Sequence, residues 1–351
     1  MVGCDGGRSA VRRLIDATLH GVSLTEDRWY LGDVRIDGLD PTRQHLWMAP
    51  EHGVLSLFPL PHTEVWQFQA SVPTDEADPA EPSLELYRRL FDERAGLPGV
   101  RLEDPTWLSL YRINVCLVDR YRVGRVFLAG DAAHIHSPGG GQGMNTGIQD
   151  SYNLGWKLAA VLSGADAALL DTYQAERRPV AQAVLEDSTR RLRMVMRSAQ
   201  ANDGPSASRG QTDDFTTGLT IAYPDSPLSR PGAAGRVRAG DRAPDAPSQS
   251  AAGDPIRLFD VFRGPHWTLL AFGAVPERVE EPYGPVRIHV VTDPTGTARG
   301  EYGLPGDGTV LVRPDGYIAA MKMVCRWRGT SLIERWSVRR RGWQATPNQG
   351  S

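Results

Sequence analysis

Residues 125–158, RVFLAGDAAHIHSPGGGQGMNTGIQDSYNLGWKL, decide the fold. Arg125–Ala129 is short and almost wholly apolar, the pattern of a strand buried in a parallel sheet. Gly130 permits a sharp turn and sets Asp131 at the carboxyl end of that strand, where open α/β sheets bind ligands. An ionised carboxylate only accepts hydrogen bonds, which suits a ligand hydroxyl. Pro138-Gly139-Gly140-Gly141-Gln142-Gly143 follows, with four glycines in its last five residues. Backbone that bare lets a flat ligand approach and meet N–H groups directly. The loop feeds a helix predicted from about Gly147 to Leu162. Free amides near Met144, Asn145 and Thr146 and the positive end of the helix dipole would favour negative charge on a ligand. Leu154, Leu158 and Leu162 repeat every four residues and mark the expected buried face. A plain glycine-rich connector does not account for so ordered a run of strand, Gly-Asp, Pro-Gly loop, Asn and amphipathic helix. His134 and His136 read as turn-stabilising residues, since no third ligand for a metal is evident.

Upstream, residues 28–72 alternate apolar and polar side chains and read as antiparallel strands, broken at Glu51-His52-Gly53 and Pro61-His62. Trp47, Phe58, Trp66 and Phe68 then lie on a sheet, where they either pack on its own helices or line a pocket. Residues 83–96, SLELYRRLFDERAG, have helical spacing and a glycine stop. Downstream, a long helix is expected over about 167–200, interrupted or kinked at Pro179. Residues 201–234 read as a linker. HWTLLAFGA, VRIHVVTD and TVLVRPDGYIAA read as strands of a small α/β domain, 235–320, the last split by a Pro-Asp-Gly turn. Residues 321–351 change texture, with seven Lys/Arg against Glu334, and read as an atypical basic tail.

Composition excludes more than it assigns. The 351 residues are 40% hydrophobic and 23% charged with net charge −3, which gives no sign of a nucleic-acid or membrane partner. Lys157 and Lys322 are the only lysines. Cys4, Cys116 and Cys325 are far apart and form neither a zinc spacing nor a disulfide framework, which points to a reducing cytoplasm. No apolar run reaches transmembrane length.

Residues 125–158 resemble the second FAD-contacting motif of the class A flavoprotein monooxygenases. This is the para-hydroxybenzoate hydroxylase-like family, and the likeness is greatest to its aromatic polyketide and phenol hydroxylase branch. The motif falls on Gly130, Asp131, Ala132, Ala133 and His134, on PGGGQGMNTGIQD and on NLGWKL, and TYQAERRPVA (172–181) resembles the segment that follows. The opening GCDGGRSAVR resembles the family's DG motif, with Asp5, Gly6, Ser9 and Arg12 in place. The resemblance implies an α/β chain. Residues 1–12 would be a remnant of a Rossmann-like FAD domain, 13–113 an inserted antiparallel substrate sheet, 114–200 the second part of the FAD domain, and 235–320 a thioredoxin-like domain. The family begins with a strand, GxGxxG and a helix, and this chain carries no such fingerprint. An N-terminally truncated member is therefore expected, either an incomplete gene or half of a split enzyme completed by a separately encoded Rossmann half. The strand at 125–129 would then have an exposed neighbouring edge.

The resemblance further implies hydroxylation of an aromatic polyketide or phenolic substrate, with FAD, NAD(P)H and O2, through a flavin C4a-hydroperoxide. Asp5, Gly6, Gly130, Asp131, Gly139, Gly140, Gly141, Gln142, Gly143, Met144 and Asn145 would serve the flavin. Asp131 would take the ribitol, Arg12 cofactor charge, and Pro138 the reacting edge. Trp47, Phe58, Trp66 and Phe68 are candidates for the substrate pocket. A non-catalytic remnant or interaction protein that keeps the fold without flavin is the alternative. Flavin halogenase fits less, because its Trp-x-Trp-x-Ile-Pro signature is absent.

Overall fold

The computed structural model describes residues 1–49, 52–72, 78–201, 217–232, 235–250, 252–273, 275–276 and 283–323. The chain divides into two units, Met1–Ser151 with Arg177–Thr217, and Tyr152–Glu176 with Gly218–Ser351. No helix among the described residues is long and apolar enough to cross a membrane.

The first unit starts with β1 (Val2–Gly3) and α1 (Ala10–Leu14). Next come β2 (Leu19–Asp37), β3 (His45–Ala49), β4 (Gly53–Pro59), β5 (Val65–Ser71), α2 (Leu84–Arg94) and β6 (Arg101–Val118). They are followed by β7 (Arg122–Val123), β8 (Val126–Leu128) and β9 (His134–Ile135). Helices α3 (Gly143–Leu162) and α4 (Asp171–Ala201) have residues in both units, and α4 runs on through Pro179 without interruption.

A three-stranded sheet has the order β1-β8-β7. Strands β1 and β8 are parallel, with Val2 opposite Phe127 and Gly3 opposite Leu128. The expectation of an exposed edge beside 125–129 is corrected here: β8 is the central strand, with β7 antiparallel on its other side. Gly3 has a packing reason, since a Cβ there would sit 2.8 Å from the Val11 side chain of α1.

The larger sheet has the order β3-β4-β5-β2-β6-β9 and is antiparallel throughout. It reaches past the expected limit at residue 113, because β6 runs to Val118 and the loop residues His134 and Ile135 add a sixth strand opposite Leu117 and Cys116. Alternation gives the sheet two faces. Tyr30, Val34, Leu55, Leu57, Trp66, Phe68 and Ala70 pack against Leu86, Tyr87, Leu90 and Phe91 of α2. Helix α2 is capped by Ser83, whose hydroxyl accepts from the Leu86 amide, and Gly96 just beyond its end is left-handed at φ 57°. Each large side chain buried there contributes roughly 1.5–3 kcal/mol. The opposite face carries Trp29, Val54 and Ile113, covered by Leu192 of α4, with Leu31, Met48 and Tyr111 partly buried around them.

Helix α3 starts earlier than the expected Gly147, and its buried face keeps Leu154 of the leucine repeat but is otherwise polar. Leu162 is 83% exposed, whereas Thr146, Asp150, Asn153, Leu154 and Lys157 are buried. Four of these five are polar, and each has hydrogen-bonding partners inside its own unit.

The second unit contains β10 (Pro247–Gln249) and β11 (Pro255–Arg257), which pair with each other. It also contains β12 (Trp267–Phe272), β13 (Val286–Val290), β14 (Gly308–Val312) and β15 (Ile318–Met323). The last four form a mixed sheet in the order β13-β12-β14-β15, with β12 and β13 parallel and the other pairs antiparallel. Strand β15 passes through the domain limit expected at residue 320. The rest of the predicted tail, and residues 202–216 and 233–234 of the predicted linker, lie outside the described residues.

The Pro314-Asp315-Gly316 turn, with Gly316 at φ 82°, brings Arg313 and Asp315 into a buried charge cluster. Glu176 accepts from Arg313 at 2.7 and 2.9 Å, from Lys157 at 2.7 Å, from Asn153 at 2.7 Å and from Ser226 at 2.5 Å. Asp315 accepts from Arg313 and, at 2.9 Å, from the Trp156 indole. Burial pulls the Lys157 ammonium down to about 8 although Glu176 opposes it. Burial alone would raise Glu176, but Arg313 and Lys157 hold its carboxyl below the usual carboxylate range. Removing one member of such a set strands its partners. Glu176→Gln is therefore expected to cost about 3–5 kcal/mol in denaturant unfolding followed by tryptophan fluorescence. Ser226→Ala, which removes one neutral donor, is expected to cost about 1 kcal/mol.

Candidate functional site

Parallel pairing of β1 with β8 sets their carboxyl ends side by side, so the Asp5-Gly6 turn lies next to the Gly130-Asp131 turn. The two aspartates differ. Asp5 accepts from the Ser9 hydroxyl at 2.5 Å and from the amides of Ala10 and Val11 at 2.7 and 3.1 Å. The Ser9 bond is the largest influence, and together they hold the Asp5 carboxyl at about 2. Asp131 is exposed and has neither a hydrogen bond nor an ion pair among the described residues.

Arg12, expected to meet cofactor charge, is buried and otherwise employed. Its guanidinium donates to the carbonyl of Ala132 at 2.9 Å and to that of Gly7 at 2.7 Å, tying the two turns together. Gly6 is left-handed at φ 80°.

The glycines of the loop divide by task. A Cβ on Gly139 would sit 2.3 Å from the carbonyl oxygen of Ser188, so this residue allows close packing on α4. Gly140 and Gly141 are left-handed at φ 90° and 63°, and a Cβ on Gly141 would meet open space. Gly143 begins α3, so Met144 and Asn145, both exposed, belong to its first turn. First-turn amides have no acceptor inside their helix. Pro138 is exposed. Gln142 is buried behind the loop, and its backbone carbonyl accepts from the Thr146 amide and hydroxyl. The crossing of α3 over the Gly-Asp turn is close, since a Cβ on Gly147 would sit 3.1 Å from Gly130 Cα.

Beneath this surface lies a group that the sequence did not reveal. Asp150 accepts from the Gly130 amide at 3.1 Å, from His134 Nε2 at 2.5 Å and from Arg177 Nε at 2.8 Å. His136 Nε2 is 2.7 Å from His134 Nδ1. The Asp150, His134 and Arg177 side chains are fully buried. Burial alone would raise Asp150, but His134 and Arg177 bring it below its ordinary value. Burial, with His134 beside it, pulls His136 down to about 3.

Three of the four pocket aromatics lie elsewhere. Trp66 and Phe68 are 2% and 0% exposed in the core under α2, and Trp47 meets Phe91 edge-on at 6.0 Å. These three pack the sheet on its own helix. Phe58 alternates with Leu55 and Leu57 and so falls on the other face, half-buried. That face also carries Tyr111, whose phenol is pushed up by burial and then by the Asp131 carboxylate. The face thus adjoins the Gly-Asp turn. A free acceptor, bare backbone, first-turn amides and a half-buried aromatic face suit the ring and ribityl chain of a flavin.

Residues 1–188 match an FAD binding domain family, and residues 236–336 match the aromatic-ring hydroxylase C-terminal family. A flavin-dependent monooxygenase of Mycobacteroides abscessus is 44% identical over 324 residues, which is 92% of this chain and 63% of that protein. The 6-methylpretetramide 4-monooxygenase of Streptomyces rimosus is 35% identical over 358 residues, 91% of this chain and 63% of that protein. Among solved structures, a ternary complex of aklavinone-11 hydroxylase with FAD and aklavinone superposes with a TM-score of 0.73 at 30% identity. It covers 91% of this chain and 63% of the other. The chain spans just under two thirds of the length of these relatives. With both of the family's motifs side by side on β1 and β8, and the FAD binding domain family matched over more than half of the chain, the chain belongs to the class A FAD-dependent monooxygenase family.

Proposed function

We propose that this chain supplies the ring- and ribityl-facing part of an FAD site, and the substrate sheet, of an aromatic hydroxylase that uses NAD(P)H and O2. The observation that carries this reading is the unengaged Asp131 carboxylate at the end of β8, in the turn that α3 crosses closely at Gly147, together with the bare Gly140-Gly141 loop that leads into α3. Bound FAD supplies the electron and oxygen chemistry. Asp131 accepts from a ribityl hydroxyl. The amides from Gly141 to Asn145, with the positive end of α3 behind them, stabilise negative charge on the ring. Pro138 borders the reacting edge, and Arg12 holds the two turns in register. The sheet face with Leu31, Phe58 and Tyr111 shields the ring from water and orients the substrate. Names of relatives that cite 6-methylpretetramide and aklavinone favour a polyketide or related phenolic substrate. The sequence carries no GxGxxG, so the adenosine end of FAD is assigned to a Rossmann segment outside these residues.

Titration of the purified chain with FMN and with FAD, followed by the visible flavin band, tests the reading. Binding of both is expected, with affinities within about tenfold, since the chain's own contacts are to the part they share. Lack of binding to either would sink the reading in favour of a remnant without flavin. Asp131→Ala is expected to weaken both flavins by about 10- to 100-fold, the loss of a hydrogen bond to a charged acceptor. Arg12→Leu leaves the Gly7 and Ala132 carbonyls without their donor and is expected to weaken flavin binding by about tenfold or more. Arg12→Lys, able to serve one carbonyl at a time, should fall between.

A further inference from the structure

We propose that Asp150, His134 and His136, with Arg177 as countercharge, form a positioning chain that holds the flavin-facing surface in its binding geometry. The proposal rests on the flavin reading of that surface and names residues to which the reading gives no role.

One carboxylate joins the Gly-Asp turn, the loop strand and α4. Oδ2 of Asp150 receives the amide of Gly130, the residue before Asp131, and Nε2 of His134, which belongs to the sixth strand of the substrate sheet. Oδ1 receives Arg177 of α4. Arg177 also donates to the Thr146 carbonyl in α3, the helix whose first turn faces the ligand. Displacing Asp150 would therefore release the Gly-Asp turn, the loop strand and the start of α3 together.

The chain has two ends. A carboxylate only accepts, so His134 carries its proton on Nε2. His134 Nδ1 and His136 Nε2 share the second hydrogen bond of the chain. His136 Nδ1 is the far end of the chain. It is buried without a hydrogen-bond partner among the described residues, and the His136 ring lies 3.8 Å from where a Gly143 Cβ would be. The chain thus runs from a fixed ion pair to the first residue of α3. Buried charge and imidazole gain little stability over apolar packing of the same volume. What they add is orientation of the groups they bond, the part that supporting residues play at other binding sites.

The test compares flavin affinity and the visible spectrum of bound flavin for the wild-type chain, His134→Gln, His134→Leu and His136→Phe, with circular dichroism to verify folding. His134→Gln keeps an N–H donor toward Asp150 and is expected to stay within about threefold of wild type, with an unchanged spectrum. His134→Leu is expected to lose about tenfold or more and to shift the spectrum toward that of free flavin. His136→Phe leaves the Asp150–His134 bond intact, and its expected loss lies between. If His134→Leu does not fold, His136→Phe decides. Wild-type binding with unchanged affinity and spectrum in the folded variants would overturn this proposal and leave the flavin reading standing. Absence of flavin binding by the wild type would overturn both.

Discussion

Two residues of parallel strand carry the site. Val2 and Gly3 pair with Phe127 and Leu128, and that register places two turns from opposite ends of the first unit at one sheet end. Each turn alone is a common Asp-Gly or Gly-Asp bend. Side by side they make an acceptor-lined rim of the kind that open α/β sheets use for ligands. The register depends on glycine, since any side chain at position 3 would push α1 away from β1. Arg12 then locks what the strands align, with donors to a carbonyl on each turn.

Helix α3 shows how charge can be buried where leucine was expected. Its inward face carries Thr146, Asp150, Asn153 and Lys157, at the three- and four-residue intervals that an apolar stripe would occupy. Buried ions cost several kcal/mol each in desolvation unless hydrogen bonds and opposite charges surround them. In the first unit Arg177 and His134 meet this need for Asp150, and in the second Glu176 and Asp315 balance Lys157 and Arg313. Such sets reward one geometry and penalise its neighbours, unlike an apolar face that tolerates small slips.

Features governed by short-range rules were legible in the sequence. The apolar run before Gly130, the Ser83-to-Gly96 helix, the break before Gly53 and the Pro-Asp-Gly turn all stand where local pattern put them. What escaped reading depends on partners far away in the chain. Asp150 and Arg177 are 27 residues apart, and Glu176 and Arg313 are 137 apart. No local rule separates a buried Lys157 from a solvated one. The leucine repeat of α3 misled for the same reason, because helical spacing finds a stripe but not which stripe has partners. Trp47, Trp66 and Phe68 were correctly placed on a sheet, yet alternation does not say which face a helix will cover. In this chain α2 covers theirs.

The two aspartates at the rim show why topology alone does not assign a ligand. Asp5 and Asp131 follow adjacent parallel strands at the same sheet end, offset by one residue. Both oxygens of Asp5 are engaged, by one hydroxyl and two amides, and these bonds hold its carboxyl low. A carboxylate spent on capping its own helix shapes the turn. Asp131 makes no such bond among the described residues, and its charge reaches Tyr111 on the sheet face. Acceptor capacity that the fold does not use is capacity left for a ligand hydroxyl. The asymmetry separates the two aspartates, and the one left unengaged acts on Tyr111, which lies on the sheet face opposite α2.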